Sequence, residues 1–356
     1  MAINIDNLLD NVNTLCDADK LNISNTVFTS YLEDESFPAH HNVMTEIRAN
    51  TPIPIIDAKP DYGFMKVSKG NCESNACDVG TTSSKKLWNP KDYDCRLVIC
   101  KQNLACDFRE FWGLNCHDYK NMKDAYMVFL VDQVNKSFNA SQWRIGYFDT
   151  STNTNPDYAG IDGLFQQWIA LAPPTAANRY VIPENSAATV ADQMNLAPDR
   201  AIEILRKFWA YISIVNPQLF SKNNLHIDMT PALAFNYLNW LQTNKEENCC
   251  FSATDGVTAS RYAFSNLNYM GIPIVVRNEW AGIIEWQQSI AGTANLPNPH
   301  RAVLTYKANK PMGTCDGDAF REFDMWYEKK DKKIYIDVAT SFDAKVIFDK
   351  DFALAI

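Results

Sequence analysis

The apolar positions recur along the chain at two different periods, and the changes of period mark its elements. From Ile5 to Leu15, the residues Ile5, Leu8, Leu9, Val12 and Leu15 fall on one helical face. Thr51-Pro52-Ile53-Pro54 closes this first stretch, and its two prolines require an extended backbone. Asp61–Val67 and Cys95–Cys100 read as strands flanking a polar tip from Cys72 to Lys86. An extended hairpin of this kind has too few large apolar residues to bury a core of its own. From Asp118 to Phe138, the residues Met122, Tyr126, Phe129, Leu130, Val134 and Phe138 return at helical spacing. They predict a helix about 30 Å long, capped by Asp118 or Asn121 and ended by Asn139.

The middle of the chain alternates helix and strand. Gly160-Ile161-Asp162-Gly163 leads into an apolar helix over Leu164–Leu171 that Pro173-Pro174 stops. Pro198 opens a helix with Ile202, Leu205, Trp209 and Ile212 aligned. Leu225–Met229 is a short strand, and Thr230-Pro231 starts a helix carrying Leu233, Tyr237, Leu238 and Leu241. Met270–Val276 reads as a buried strand. The end is β: Arg301–Tyr306, a strand beginning at Met325–Tyr327, Ile334–Val338, and Ala344–Phe348. The final Phe352-Ala353-Leu354-Ala355-Ile356 is too apolar for a frayed tail and predicts docking in a sheet or an interface.

Composition narrows the class. The 356 residues are 46% hydrophobic and 21% charged, the balance of a globular chain large enough to fold without disulfides. The formal charge of -9 argues against tight nucleic-acid binding, which needs clustered Lys and Arg. The one dense basic cluster, Lys329-Lys330-Asp331-Lys332-Lys333, reads as a charged hairpin turn. The start of the chain carries no signal-peptide pattern and no stretch matches a membrane helix, which predicts synthesis in a cytosol.

Candidate chemistry is sparse. The sequence carries no nucleophile elbow, zinc-protease helix, phosphate loop or dinucleotide fingerprint. His226 and Asp228 share one face of their strand, either as a functional pair or as a histidine with a local partner. His40 and His41 sit in the first stretch without a ligand at metal spacing. Six of the ten cysteines fall between Cys72 and Cys116. Cys72, Cys77, Cys95 and Cys100 form two pairs on opposite limbs of the expected hairpin, a spacing that would suit zinc as the only cofactor in prospect. Disulfides within or between subunits, and free thiols packing as small hydrophobes, stand as the other readings. The nine tryptophans are scattered without interleaved Arg or Lys and read as core or interface anchors.

An arm, a long hairpin, a spine helix, an α/β middle and a closing β-sheet form an order that resembles the tailed-bacteriophage major capsid proteins of the Hong Kong 97-type fold. His300–Thr314 and Lys330–Val338 with Phe342–Lys345 are similar to segments of Bacteroidetes-phage capsid proteins, as is the cysteine-bearing loop followed by Ser84-Lys85-Lys86. The resemblance implies an α+β fold with residues 1–57 as N-terminal arm, 58–104 as extended loop and 105–145 as peripheral domain with the spine helix. Residues 146–300 would be the axial domain and 301–356 the return strands of the peripheral domain.

It implies no enzyme. The chain would assemble with itself as hexamers and pentamers, with a scaffolding protein, a portal and, where present, decoration proteins. The shell would enclose double-stranded DNA without sequence-specific binding and without a membrane, and would be found in the virion after synthesis in the host cytoplasm. Two other readings stand beside it: another virion component, such as a vertex, connector or tail protein, and a zinc-dependent enzyme using the cysteine cluster with His117.

Overall fold

The computed structural model describes residues 40–58, 81–100, 134, 137–183, 187, 189–244, 267–291, 295–315, 322–331 and 333–356. The expected helix at Ile5–Leu15, the strand at Asp61–Val67 and the first part of the spine helix lie outside them, as do Cys72 and Cys77.

In chain order, β1 (Val43–Met44), β2 (Pro52–Ala58), β3 (Thr81–Leu87) and β4 (Lys91–Cys100) precede α1 (137–148). The middle holds α2 (Leu164–Leu171), β5 (Arg179–Tyr180), α3 (Arg200–Ala210), β6 (Leu225–Met229), α4 (Pro231–Asn244), β7 (Asn268–Tyr269), β8 (Ile272–Val276) and α5 (Asn278–Ala291). The end holds β9 (Ala302–Tyr306), β10 (Met312–Gly313), β11 (Glu322–Glu328), β12 (Lys333–Ala344) and β13 (Ala353–Ala355).

Two sheets organise these elements. The larger has six strands in the order β5-β13-β9-β6-β8-β7. Every residue of β9 and β13 is buried, because both faces of the sheet are covered. On one side, Ala302, Leu304, Ala353 and Ala355 pack with α3 and α4 through Ile202, Leu205, Phe208, Leu233, Tyr237 and Leu241. On the other, Val303 and Leu354 join a second core with Trp143, Tyr147, Phe165, Trp168 and Trp280. The second sheet joins β1, β10, β12, β11 and β4. Phe342 and Ala344 of β12 enter that same second core, so it is the core the two sheets share.

Several elements differ from the sequence reading. The hairpin is built from β2 and β3, paired from Pro52↔Leu87 to Ala58↔Thr81, so Thr81–Leu87 is a strand rather than part of the tip. Cys95–Cys100 does not return along that hairpin. It belongs to β4, which pairs with β12 from Lys91↔Phe342 to Cys100↔Lys333. Asn139 does not end the spine helix, which continues to Phe148. Burial of Trp143, Ile145, Tyr147 and Phe148 outweighs the weak helix propensity of Asn139 and Ser141. Met270 and Gly271 are the turn of a β7–β8 hairpin and not strand, with φ of 49° and 82° as a tight twisted turn requires. Ile334–Val338 and Ala344 are parts of one strand of 12 residues.

The strands after residue 300 divide between the two sheets: β9 and β13 are interior strands of the six-stranded sheet, while β10, β11 and β12 belong to the other. The continuous apolar run of Ala302–Leu304 explains this, since only a strand covered on both faces gains from it. The apolar C-terminus docks as expected, with Ile182 N donating to Ile356 O at 3.0 Å.

Candidate functional site

Among the described residues, Asp228, Arg277 and Lys310 form a buried charge cluster where five separate segments meet. β6 exposes Ile227 and Met229 to one core, so strand alternation turns Asp228 toward the other. Arg277 follows β8 directly and Lys310 follows the helical turn Lys307–Asn309. The register Asp228↔Val275 puts Arg277, just past the end of β8, beside the end of β6, where Arg277 N donates to Met229 O at 2.9 Å.

Asp228 and Lys310 are fully buried and Arg277 nearly so. Arg277 Nε donates to Asp228 Oδ1 at 2.7 Å, and Lys310 Nζ donates to Oδ2 at 2.5 Å. Arg277 Nη2 comes within 2.6 Å of Oδ1 but out of line for a hydrogen bond. The Arg277 guanidinium also lies 5.2 Å from the centre of the Trp143 ring. Burial raises the carboxyl pKa and the two cations lower it; the cations prevail and hold Asp228 well below the usual carboxylate range. Burial is likewise the largest influence on Lys310 and brings it down to about 8 against the pull of Asp228.

The histidines complete the cluster. Nδ1 of His226 faces the carbonyl of Asn224 at 2.7 Å, which only accepts, so the ring proton sits on Nδ1. Nε2 then accepts from Lys310 Nζ at 2.9 Å. The shared ammonium therefore connects His226 to Asp228, whose Oδ2 lies 3.3 Å from that Nε2. His41 comes from the N-terminal segment and is 1% exposed. Its Nδ1 donates to Lys310 O at 3.1 Å, and its Nε2 accepts from Tyr147 Oη at 3.1 Å. Both partners fit the neutral ring, and burial followed by the nearby Lys310 charge keeps its pKa well below the ordinary value.

This arrangement is a latch. It ties the segment at residues 40–47, the end of α1, the neighbouring ends of β6 and β8 and the β9–β10 connection to one carboxylate. Backbone pairing extends the hold: β1 runs parallel to β10, and Ile47 N donates to Thr314 O at 3.1 Å. Of the two sequence readings of His226, both partners are present: Asn224 O beside its Nδ1, and Asp228 beside its Nε2 with Lys310 between them. His41 enters the sequence reading only as a histidine without metal ligands, and Lys310 and Arg277 carry no signal there. Their chain positions are too remote from Asp228 for spacing to connect them.

A second junction fixes β4 against the start of α2. Tyr93 Oη accepts from Ile161 N at 3.0 Å. A Cβ on Gly160 would lie 2.0 Å from that hydroxyl, and one on Gly163 would lie 2.6 Å from the Tyr147 carbonyl carbon. Both glycines are close-approach positions. Beside them Arg144 pairs with Asp149, and burial lifts the Asp149 pKa to about 6. A cavity of about 680 Å³ opens between β4, β12, α1 and α5, lined by Tyr93, Leu97, Phe138, Ile145, Ile283 and Trp286 among others.

Among the four cysteines proposed for a metal, two lie on described elements. Cys95 is an exposed free thiol on β4, and Cys100 ends the same strand. Five strand positions separate them by about 16 Å at about 3.3 Å per residue. A zinc-thiolate site would therefore take only one of them, with thiols from elsewhere in the chain. Among the described residues no three His, Cys, Asp or Glu side chains are grouped to hold a metal, and no described helix is long and apolar enough to cross a membrane.

The mixed α/β fold recurs in solved structures. The chain is similar to one in a structure described as satellite phage P4 procapsid including size determination (Sid) protein. There the identity is 11% and the TM-score 0.53, over 93% of this chain and 97% of the other. This is a fold found in phage capsids. A structure described as Gordonia phage Cozz matches at 11% identity and TM-score 0.50, over 89% of this chain and 84% of that one. At such identities the likeness is one of fold. No protein-family profile matches the sequence, and no curated protein matches it.

Proposed function

We infer that the chain is a non-enzymatic structural subunit, a major capsid protein with the Hong Kong 97-type fold. Copies would assemble as hexamers and pentamers into the icosahedral head of a tailed phage. The observation that carries this reading is the likeness to a procapsid chain over nearly the full length of both chains. The architecture supports it. The β2–β3 hairpin pairs separately from the two larger sheets, and Lys86 at its base donates to Val346 O at 2.7 Å and pairs with Asp349. Apolar side chains also stand exposed on the part built around the six-stranded sheet, with Ile214 78% and Met270 62% accessible, as subunit contacts would require.

Each contact would be modest, and closed symmetry would sum them. The expected partners are further copies of the chain, a scaffolding protein, a portal and, where present, decoration proteins. DNA would be enclosed without base-specific contact, in keeping with the charge of -9. Assembly in the host cytoplasm would deliver the chain to the virion. Another virion component, such as a connector or tail protein, would use the same fold to build rings or tubes. Electron microscopy of the chain co-expressed with a candidate scaffold separates these outcomes: closed shells support the capsid reading, and rings or tubes alone support the other.

A further inference from the structure

The cavity of about 680 Å³ lies between two helices and one face of a sheet, within the range of about 300–1,000 Å³ that small-molecule pockets occupy. Its walls are chiefly apolar: Phe138 and Ile145 from α1, Ile283 and Trp286 from α5, Leu97 from β4 and Val338 from β12. Water fills such a space poorly, because each molecule needs roughly two to four polar partners. One buried polar group lines it as well. Gln142 is 4% exposed, and its Oε1 has no hydrogen-bond partner among the described residues. A buried acceptor without a donor costs stability until one reaches it. The fitting occupant therefore carries an N–H or O–H on an apolar body.

Charge adds a second requirement. Asp157 and Glu279 line the cavity, are exposed and form no ion pair among the described residues. Asp94 also borders it, but strand alternation turns its side chain away from the face that Tyr93 and Leu97 share. Arg144, the single cation among the described lining residues, is paired with Asp149 and lies over the Tyr158 and Trp286 rings at 5.0 and 5.5 Å. The opening is thus left with unbalanced negative charge, which attracts a cation.

We propose that this cavity binds a small amphiphile, an apolar body with a protonated primary amine at its head. The body displaces water from the walls of α1, α5 and the sheet. The ammonium donates to Gln142 Oε1, and Asp157 and Glu279 draw it to the opening. A neutral amphiphile of the same length binds more weakly for want of charge, and an anionic one more weakly still. Cys95 pairs with Val338 across the sheet and shares its face, so this free thiol reports whether the cavity is occupied. The site is independent of the shell reading, since one copy of the chain supplies all of it.

Calorimetric titration of the whole chain with decylamine, decanol and decanoate, each below its micelle-forming concentration, tests the proposal. Decylamine binds tightest and slows alkylation of Cys95, followed by peptide mass mapping, at least about threefold. Gln142→Leu weakens decylamine about tenfold, the loss of one hydrogen bond to a charged group, and leaves the empty chain melting no lower than the parent. Asp157→Asn with Glu279→Gln brings decylamine to within about threefold of decanol. Gly282→Trp, at a helical position where a Cβ meets no atom within 4 Å, fills the opening and abolishes binding. A parent that binds no decylamine, or binds decanoate as tightly, overturns the proposal. So does decylamine binding that Gln142→Leu or the double carboxylate exchange leaves unchanged. Equal uptake by Gly282→Trp would show surface partitioning only and overturn it too; should that variant fail to fold, the Gln142→Leu comparison decides.

Discussion

Lys310 Nζ meets Asp228 Oδ2 at 2.5 Å, with both side chains wholly removed from solvent. Isolated, either charge would be far too costly to bury. Here one carboxylate answers two cations, and the ammonium also satisfies His226. A buried cluster of this kind adds little net stability over a well-packed apolar core, but it penalises any arrangement in which its parts are separated. Its role is to hold the N-terminal segment, α1 and the sheet in one relation.

Removing the carboxylate charge should therefore be more damaging than removing one cation. Asp228→Asn leaves Arg277 and Lys310 buried without an anion and is expected to cost about 3–5 kcal/mol. Lys310→Met keeps the Asp228–Arg277 pair and should cost less. Denaturant unfolding of both variants checks the order; equal losses would show that Arg277 does not support Asp228 alone.

Acid should loosen the same region. Burial, and after it the charge of Arg277, lowers His40 to about 4, against an ordinary value of 6.5. The folded state then binds fewer protons than the unfolded one, so this contribution is complete above about pH 6.5 and is lost as pH falls toward 4. Asp149 acts in the opposite sense. Burial raises it from 3.8 to about 6, so its contribution is complete below about 3.8 and is lost as pH rises through 6. Thermal unfolding from pH 4 to 7 should show a flatter acid limb in His40→Asn than in the parent, and a steeper one in Asp149→Asn.

The glycine junction predicts a packing effect. A Cβ on Gly163 would press on the Tyr147 backbone, which cannot swing aside as a side chain can. Gly163→Ala is expected to destabilise by about 1–3 kcal/mol. Gly282→Ala meets no atom within 4 Å and lies inside a helix, so it should be neutral or slightly stabilising. Melting temperatures of the two variants give the comparison directly.

Much of the α/β middle was legible because local signals and tertiary packing agree there. Leu225–Met229, Leu164–Leu171 and the helix opening at Pro231 fall where periodicity and proline placed them. The failures share one cause, the override of local signals by distant contacts. Asn139 reads as a stop until the burial of Trp143 and Tyr147 draws the helix onward. Ala339-Thr340-Ser341 interrupts the β pattern, yet β12 continues because β4 pairs with it through Tyr93 and Asp92. The latch was half visible: a shared strand face gave His226 and Asp228. The cations that neutralise Asp228 arrive from residues 277 and 310 through sheet order, which spacing does not encode.

The central claim is that copies of this chain build a closed shell, and cryo-electron microscopy of the chain co-expressed with its candidate scaffold tests it most directly. The expected result is icosahedral particles with five-fold and six-fold clusters, whose subunits keep β2 paired with β3 and residues 40–47 docked beside β10. Protein that stays monomeric under those conditions, or that forms open tubes and rings and never a shell, would contradict it.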